Sequence, residues 1–339
     1  MRICVFAERL APPFDEGFKN VAWHLIREFS TRHETLALTC FGQDIPAQGI
    51  RDIPANRLLL SLPLRRTIAR FRPDLLYYIP TASTTPFSFF RAWMLRAFAG
   101  RAQVAMIALQ PRPLRPLLSS FIRWLAPDLL LTACPQIAAS LPLLPCPVAQ
   151  VPLGVDLDRF RPGDPSWKPH LRRKYGLDEQ GWFLLHVGHI KRERNVQVLA
   201  RLRVALGCQV LVVGSTSTRQ EADLVEELRA TEVHIISEHI DVVEAYHLAD
   251  GYVFPVLSET AAIGIPLSVL EAMACNLPIV STPFGGLPEL LPARPEDGFW
   301  YATDEEEIIA RVRDMRAWGR AETRAMVAPY GWSQVTEQI

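Results

Sequence analysis

The chain has 339 residues, of which 49% are hydrophobic and 21% are charged, and its formal net charge is zero. This length exceeds one ordinary core and predicts two domains of about 150 residues each, while the composition excludes a disordered or fibrous protein. The six cysteines are scattered without a C-x-x-C pair, which argues against a disulfide framework or a zinc site.

The first half of the chain predicts short apolar strands that alternate with helices. Strands are predicted over 3–7, 35–40, 75–79, 104–108 and 129–132, with a helix near 20–30. Unpatterned apolar strands between amphipathic helices are typical of a parallel sheet covered on both faces. Prolines over 142–147 and 161–165 mark a boundary, so we expect a first domain over 1–152.

The second half repeats this alternation and predicts a second domain over 153–320. Strands are predicted over 183–187, 209–213, 233–236, 252–255 and 278–281, and helices near 195–206, 220–230, 241–249, 267–275 and 304–315. The expected fold is α/β, with two Rossmann-like, doubly wound parallel-sheet domains facing across a cleft. Ligands of such sheets bind at the carboxyl ends of the strands. No G-x-G-x-x-G follows a strand, which argues against a nicotinamide dinucleotide site.

The strongest local signal is a carboxylate inside an apolar helix. Pro266 stands where this helix begins, so the N–H groups of Leu267 and Ser268 would be available to a phosphate. Glu271 follows one turn later and needs hydrogen-bond donors if it is buried. Ribose hydroxyls or nearby backbone groups could supply them, and the pattern alone leaves both open. Asn276 is expected to end the helix in a left-handed conformation.

The residues from 271 read EAMACNLPIV, and those from 285 read GGLPE. Both stretches resemble the donor-site signature of the family 4 (group 1) glycosyltransferases, retaining nucleotide-sugar transferases of the GT-B fold. Further stretches resemble the same family in the same order: 152–162, 186–195, 212–214, 249–255 and 330–333. The resemblance covers 150–339 well and the first half only in outline. It implies that a helical segment over 321–339 returns toward the first domain.

This resemblance implies an enzyme that moves a sugar from a nucleotide-diphosphate sugar to an acceptor hydroxyl. It implies retention of the anomeric configuration and no cofactor besides the donor substrate. We also expect no metal, because no D-x-D motif stands at a donor-site strand end. The implied pathway is glycan, glycolipid or polysaccharide biosynthesis. A non-catalytic relative that binds a sugar nucleotide as a scaffold stays open, and an epimerase on the same fold is less favoured.

By the same resemblance, Glu271 holds the nucleotide ribose. The Arg194 guanidinium and the backbone from Gly264 through Leu267 to Ser268 would stabilise the donor diphosphate, because a guanidinium and free N–H groups both complement phosphate. A cation at a helix start is unfavourable unless an anion lies nearby, which supports this role for Arg194.

Three further residues complete the implied donor site. Gly188 and His189 stand in the family's Gly-Arg segment, so a histidine replaces the usual arginine and lacks its permanent charge. Gly17 stands in a loop that resembles the one that closes over the donor.

Two departures from the family's pattern concern the reacting centre. The family has a glutamate eight positions before Glu271, and this sequence has Ile263 there. Counting forward from Pro255 places Glu259 at that role instead, and we favour Glu259 as catalytic, although a surface loop role is nearly as well supported. Gln110 stands where the family often has a histidine; it can bind a sugar hydroxyl but cannot act as an acid or base.

The zero net charge hides an asymmetry between the halves. Residues 1–150 carry 17 Lys and Arg against 9 Asp and Glu, and residues 57–127 carry 11 Arg against one acid, Asp74. The aromatic and arginine-rich stretch 86–98, with Arg112, Arg115 and Arg123, suggests peripheral contact with an anionic membrane that carries a lipid-linked acceptor. A core helix whose arginines reach solvent is the more usual interpretation of such a stretch and is favoured over membrane contact.

The expected location is the cytoplasm, and peripheral contact with the inner face of the membrane is left open as the less favoured alternative. The chain opens on a predicted strand and not on an apolar leader, and no apolar run approaches the ~18 residues that span a bilayer. We expect a sugar-nucleotide donor and a glycan or lipid-linked acceptor as partners, and no nucleic acid.

Overall fold

The computed structural model describes residues 1–112, 122–216, 219–238 and 240–339. It divides into two compact units. The N-terminal unit comprises Met1–Leu153, Ile263–Ile265 and Trp332–Ile339, and the C-terminal unit comprises Gly154–Ala262 and Pro266–Gly331.

The N-terminal unit is built on a seven-stranded, fully parallel sheet in the order β3-β2-β1-β4-β5-β6-β7. Its strands β1 to β7 are Arg2–Ala7, Glu34–Thr39, Ile50–Asp52, Leu75–Ile79, Gln103–Ala108, Leu129–Thr132 and Val148–Gln150. Its helices α1 to α4 are Gly17–Arg32, Leu62–Phe71, Pro86–Ala99 and Pro135–Ser140. The central strands are buried along most of their length, as expected for a parallel sheet with covered faces.

The C-terminal unit contains a six-stranded parallel sheet in the order β10-β9-β8-β11-β12-β13. Its strands β8 to β13 are Phe183–Val187, Gln209–Val213, His234–Ile236, Gly251–Phe254, Ile279–Ser281 and Phe299–Tyr301. Its helices α5 to α12 are Trp167–Lys174, Val198–Leu206, Ala222–Ala230, Val242–Leu248, Leu267–Ala274, Leu287–Leu290, Glu305–Trp318 and Thr323–Val327. The predicted α/β class with two parallel-sheet domains is confirmed.

Most predicted helices and strands agree with the structure to within a few residues, but three strands were missed and one helix begins later than predicted. Strands β3, β7 and β13 were not predicted, because each has only three residues and lies at a sheet edge. The single helix expected over 195–206 is wrong at its start. Arg192–Arg194 forms a 3-10 turn, Asn195 adopts a left-handed φ of 55°, and the α-helix begins only at Val198.

Helix α9 carries Glu271, and its two ends have local causes. Pro266 is the N-cap residue, with φ −67° and ψ 112°, and so precedes the first turn in which the sequence analysis placed it. At the other end Asn276 adopts the expected left-handed conformation, with φ 61°. Its side-chain amide donates to the carbonyl of Ala321 at 2.9 Å, which anchors the segment that follows the helix.

The end of the chain packs within the N-terminal unit. Helix α13, Trp332–Thr336, lies against α1. The Trp332 ring stacks on His24 with 5.1 Å between ring centroids. The Arg32 guanidinium donates to the Ser333 hydroxyl at 2.7 Å. The remainder of the predicted tail segment, which includes α12, belongs to the C-terminal unit.

Membrane-spanning helices and clusters of metal ligands are both absent from the described residues. None of their helices has the length and apolar character needed to cross a membrane. No group of three or more His, Cys, Asp or Glu side chains among them is arranged to hold a metal ion.

Candidate functional site

The candidate donor site lies where the strand order of the C-terminal sheet reverses. Strands β8 and β11 are neighbours in this sheet, and the chain leaves them toward opposite edges. Such a reversal opens a crevice at the carboxyl ends of the two strands, where ligands of open α/β sheets bind. Gly188 directly follows β8, and the loop 255–266 joins β11 to helix α9. The predicted donor-site residues of this unit therefore follow these two strands.

Glu271 lies on α9 and is half-buried. Its carboxylate accepts a hydrogen bond from a side chain and none from the described backbone. Its Oε2 accepts a 2.8 Å hydrogen bond from the hydroxyl of Tyr246 on helix α8, the sole donor to this carboxylate among the residues described. Burial raises the pKa of Glu271 to about 7 from an ordinary 4.5, and the Tyr246 hydrogen bond lowers it in part. Oε1 therefore keeps its capacity to accept hydrogen bonds from a ligand.

The start of α9 presents polar groups next to this carboxylate. Leu267 and Ser268 occupy its first two positions, whose N–H groups have no partner within a helix. The Ser268 hydroxyl oxygen accepts a 2.8 Å hydrogen bond from the hydroxyl of Tyr252 on β11. This hydrogen bond fixes the side chain of Ser268 at the N-terminal end of the helix.

Arg194 is a half-buried cation without a carboxylate partner in the described part of the chain. Its Nε donates to the carbonyl oxygen of Ala261 at 2.9 Å. Burial lowers the pKa of this guanidinium, although an arginine side chain stays charged at neutral pH. By contrast, the nearby Arg192 is exposed and pairs with Glu227 at 2.7 Å. A desolvated, uncompensated cation is costly, so the position of Arg194 favours a bound anion.

Tyr252 links the carboxylate and the guanidinium electrostatically. Burial raises the pKa of its hydroxyl, the charge of Glu271 raises it further, and the charge of Arg194 lowers it. Both charged groups thus act on the same hydroxyl. Arg194 also donates to Ala261 in the loop that leads from β11 into α9, the helix that carries Glu271, so the two residues form part of one candidate site in the C-terminal unit.

Gly188 allows the close approach of two side chains at the end of β8. A Cβ atom at this position would lie 2.6 Å from Nη1 of Arg194 and 3.3 Å from Nε2 of His186. Its backbone φ of 156° also disfavours other residues. Any side chain at position 188 would therefore displace the Arg194 guanidinium. His189 follows, half-buried, and its charge and that of Arg194 contribute to lowering the pKa of His186 after burial, the largest cause.

His186 is a residue of this site that the sequence analysis did not assign. It is fully buried, and burial lowers its pKa to about 4, so the imidazole is neutral at pH 7. Nδ1 lies 3.0 Å from the carbonyl oxygen of Val253 and must carry the proton, since a carbonyl only accepts. Nε2 is a buried acceptor with no hydrogen-bond donor among the described residues. A histidine two residues before the glycine at the strand end was the available signal.

The residues expected near the donor sugar do not come together around a carboxylate. Glu259 is exposed on the loop after β11. Ile263 is 8% exposed and packs on Gly17, where a Cβ would lie 2.7 Å from its Cδ1. Gly264 donates its N–H to the carbonyl of Leu109 at 2.6 Å. A Cβ on Gly264 would meet side-chain atoms of the N-terminal unit at 2.8 Å, so packing within that unit accounts for glycine at 17 and 264.

Gln110 also belongs to the N-terminal unit, immediately beyond β5. Its Oε1 accepts a 2.9 Å hydrogen bond from the Ser83 hydroxyl, and the two residues form a parallel bridge. The amide is therefore held in a fixed orientation at the carboxyl end of the sheet.

Comparison with known proteins relates part of the chain to one family of enzymes. Residues 182–317 match the family model described as glycosyl transferases group 1. These residues make up less than half of the chain, and they resemble the group 1 glycosyltransferases. The matched segment contains β8 through most of α11, and hence the site formed by Arg194 and Glu271.

Curated relatives of the chain are glycosyltransferases by name. A D-inositol 3-phosphate glycosyltransferase of Actinosynnema mirum is 35% identical over 162 residues, which cover 42% of this chain and 37% of that protein. The sulfoquinovosyl transferase SQD2 of Arabidopsis thaliana is 25% identical over the whole chain and 72% of its own length. The chain thus spans only about a third of the first of these relatives.

Solved structures of transferases share the two-domain fold. A glycosyltransferase from Rickettsia africae aligns with a TM-score of 0.79 at 12% identity, covering 98% of this chain and 96% of that one. The Anabaena protein HepE, solved in complex with UDP-glucose, aligns with a TM-score of 0.74 at 16% identity, covering 99% and 97%. These likenesses confirm the predicted GT-B fold.

Proposed function

We propose that the protein transfers a glycosyl group from a nucleotide-diphosphate sugar to an acceptor hydroxyl, as a family 4 enzyme that retains the anomeric configuration and needs no metal. The observation that carries this proposal is Arg194, a half-buried cation that forms no ion pair with a carboxylate in the described chain and that donates to the loop leading into the helix of Glu271. A guanidinium complements the diphosphate, and a carboxylate with a free oxygen complements ribose hydroxyls.

The proposed reaction assigns a step to each of these groups. The bond from the anomeric carbon to the diphosphate breaks, and a bond from that carbon to the acceptor oxygen forms. Arg194 and the N–H groups of Leu267 and Ser268 stabilise the negative charge that develops on the departing diphosphate. The acceptor hydroxyl proton passes to a phosphate oxygen of the leaving group, since Gln110 cannot accept it.

Turnover is tested by incubating the protein with UDP-, GDP-, ADP- and dTDP-sugars, with and without acceptor extracts, and measuring nucleoside diphosphate release. We expect release with one donor class, undiminished by EDTA, and a product whose anomeric configuration by NMR matches the donor. Inverted product or loss of activity in EDTA would contradict the corresponding part of the proposal. Tight nucleotide binding without turnover on any donor would favour the scaffold instead, an alternative supported by the apolar Ile263 at the family's glutamate position.

The role of Glu259 is tested separately. Its exposed position on the loop after β11 suits a residue that reaches the donor sugar only when the substrates are bound. We expect Glu259→Gln to keep donor affinity and to lower turnover by about 100-fold, as for loss of a group that acts in the transition state. Wild-type turnover would remove Glu259 from the catalytic set. Glu296→Gln, at an exposed glutamate of the 3-10 turn Pro295–Asp297, is the control.

Membrane contact of the N-terminal unit is the remaining part of the proposed function, and it places the protein at the inner face of a membrane with a lipid-linked acceptor. Trp124 is 86% exposed, Phe87 is 59% and Trp93 is 45%, and exposed arginines such as Arg112 and Arg123 accompany them. Arg115 lies outside the described residues. Exposed aromatics beside cations suit an anionic bilayer surface.

Flotation with phosphatidylglycerol vesicles tests this contact, with phosphatidylcholine vesicles as the control. We expect binding to the anionic vesicles that falls with salt and that Trp124→Ser weakens. Weak binding that ignores salt and lipid charge would remove the membrane from the proposal. Trp167→Ser, a 48% exposed tryptophan of the C-terminal unit, is the matched variant that should bind vesicles normally.

A further inference from the structure

A second candidate site lies wholly within the N-terminal unit. A cavity of about 690 Å³ opens at the carboxyl end of its sheet. Glu8 and Arg9, which directly follow β1, line it on one side, and residues 81–83, which follow β4, line it on another. Strands β1 and β4 are neighbours at which this sheet reverses its order, so the cavity occupies the position where open α/β sheets bind ligands.

The acidic groups of this cavity are already neutralised by protein partners. Glu8 is 4% exposed, and its two oxygens accept hydrogen bonds from the Tyr78 hydroxyl and from Nη1 of Arg91, the latter at 2.6 Å. Glu16 forms an ion pair with Lys19 at 2.9 Å. Neither carboxylate is therefore left to balance the other cations of the lining.

Three arginines of the lining have no such partner. The guanidinium groups of Arg9, Arg57 and Arg112 form no ion pair with any described residue, although all three residues line the cavity. Arg91 adds a fourth guanidinium, which Glu8 and the carbonyl of Arg57 hold in place at 2.6 and 2.9 Å. The cavity thus concentrates positive charge around the bonded pair of Glu8 and Arg91, and such a concentration attracts anions.

Hydroxyl groups at the cavity connect it to the predicted reacting centre. Thr81 and Ser83 line it, and Ser83 donates to Gln110 at 2.9 Å. Arginine forks and hydroxyl groups together form the usual protein environment of a phosphate ester. A ligand held here by its phosphate would place its neighbouring hydroxyls near Gln110.

We propose that this cavity binds a phosphate group on the acceptor, so that the acceptor of the transfer is a phosphate ester. The identification of the ligand as an acceptor rests on the proposed glycosyl transfer; the anion site itself does not. Arg9, Arg57 and Arg112 bind the phosphate, and Glu8 positions Arg91 beneath it.

The anion site is tested first, with inorganic phosphate as the probe and the full chain carrying Arg194→Met, so that the candidate donor site does not contribute. Titration calorimetry should show saturable phosphate binding. Arg57→Gln and Arg112→Gln should each weaken it by about 10-fold, as for loss of a charged hydrogen bond. Arg96→Gln is the matched control, an exposed arginine of the same unit that pairs with Asp128 at 2.9 Å, and it should bind normally. Equal phosphate affinity in the Arg57, Arg112 and control variants would overturn the proposal.

The acceptor is tested once a donor that turns over is known. Acceptor extracts are treated with phosphatase or left untreated, and sugar transfer is measured. We expect transfer to fall at least 10-fold after treatment. Undiminished transfer, or inhibition by glucuronate as strong as by a sugar phosphate, would overturn the phosphate assignment while leaving the proposed transfer intact. Failure of every donor to release a nucleoside diphosphate would instead count against the proposed function, and the calorimetric result would stand independently of it.

Discussion

The hydroxyl of Tyr246 lies 2.8 Å from Oε2 of Glu271 and donates a hydrogen bond to it. This bond lowers the pKa of a carboxyl group that burial raises to about 7, and so it favours the ionised form at neutral pH. Tyr246 lies on helix α8 and Glu271 on helix α9. The packing of these two helices therefore influences the charge of Glu271, the residue predicted to bind the ribose.

Tyr246→Phe should therefore weaken donor binding as well as stability. Without the hydroxyl the pKa of Glu271 rises further, and a smaller fraction is ionised at pH 7. We expect nucleoside diphosphate affinity to fall by about 3- to 10-fold and the free energy of unfolding by ~1 kcal/mol. Calorimetry at pH 7 and at about pH 9 measures the first effect, and affinity should recover in part at the higher pH.

Tyr301→Phe is the matched control for this variant. It loses a comparable hydrogen bond, from the Tyr301 hydroxyl to the carbonyl of Leu291 at 2.8 Å, away from the donor site. Its stability should fall similarly, with donor affinity unchanged. Wild-type nucleotide affinity in Tyr246→Phe would contradict the coupling between the two residues.

Arg194→Lys should weaken nucleoside diphosphate binding by about 10-fold or more, although it keeps the positive charge. A lysine cannot donate to the carbonyl of Ala261 and present a planar fork to the diphosphate at the same time. Arg192→Lys, at an exposed ion pair two residues away, should leave the affinity unchanged. Equal affinities for the two variants in calorimetry would show that position 194 contributes charge alone.

Gly188→Ala should displace the Arg194 guanidinium without changing Arg194 itself. The added methyl group would lie 2.6 Å from Nη1 of Arg194, so the side chain must move and donor affinity should fall by about 10-fold or more. Gly207→Ala is the control, because Gly207 has a left-handed φ of 57° and an added Cβ would have no atom within 4 Å. It should lower stability by about 1 kcal/mol without affecting donor affinity. A Gly188→Ala protein with normal nucleotide affinity and normal stability would contradict this account.

Glu271→Gln should change the pH dependence of stability. The pKa of Glu271 is about 7 in the folded protein and near 4.5 when unfolded, so the unfolded state binds fewer protons between these values. Stability therefore falls as pH rises from about 4.5 to about 7, and this loss persists above pH 7. The Gln variant lacks the contribution, so its free energy of unfolding in urea, relative to wild type, should rise between about pH 5 and about pH 8. No change in that difference would show that Glu271 titrates normally.

The short strands and the loops mark the limit of sequence-based prediction here. Short, mainly apolar runs such as 183–187 and 75–79 predicted buried parallel strands with the bounds observed, because such runs need no partner information to be recognised. Edge strands such as Phe299–Tyr301 and the turn at Asn195 were missed, since three residues carry no periodicity and a left-handed residue is set by its surroundings.

The sequence by itself determined the two-domain α/β architecture and the likeness to the group 1 glycosyltransferases, and it singled out Glu271 as a candidate, because strand periodicity and an ordered set of motifs are local properties of the chain. Only the tertiary structure decided the partners of these residues. Tyr246 reaches Glu271 from a helix 25 positions earlier, and the Ala261 carbonyl meets Arg194 from 67 positions later. Burial, which sets the pKa of Glu271 and of His186, depends on the packing of many distant residues, and no short stretch of sequence encodes it.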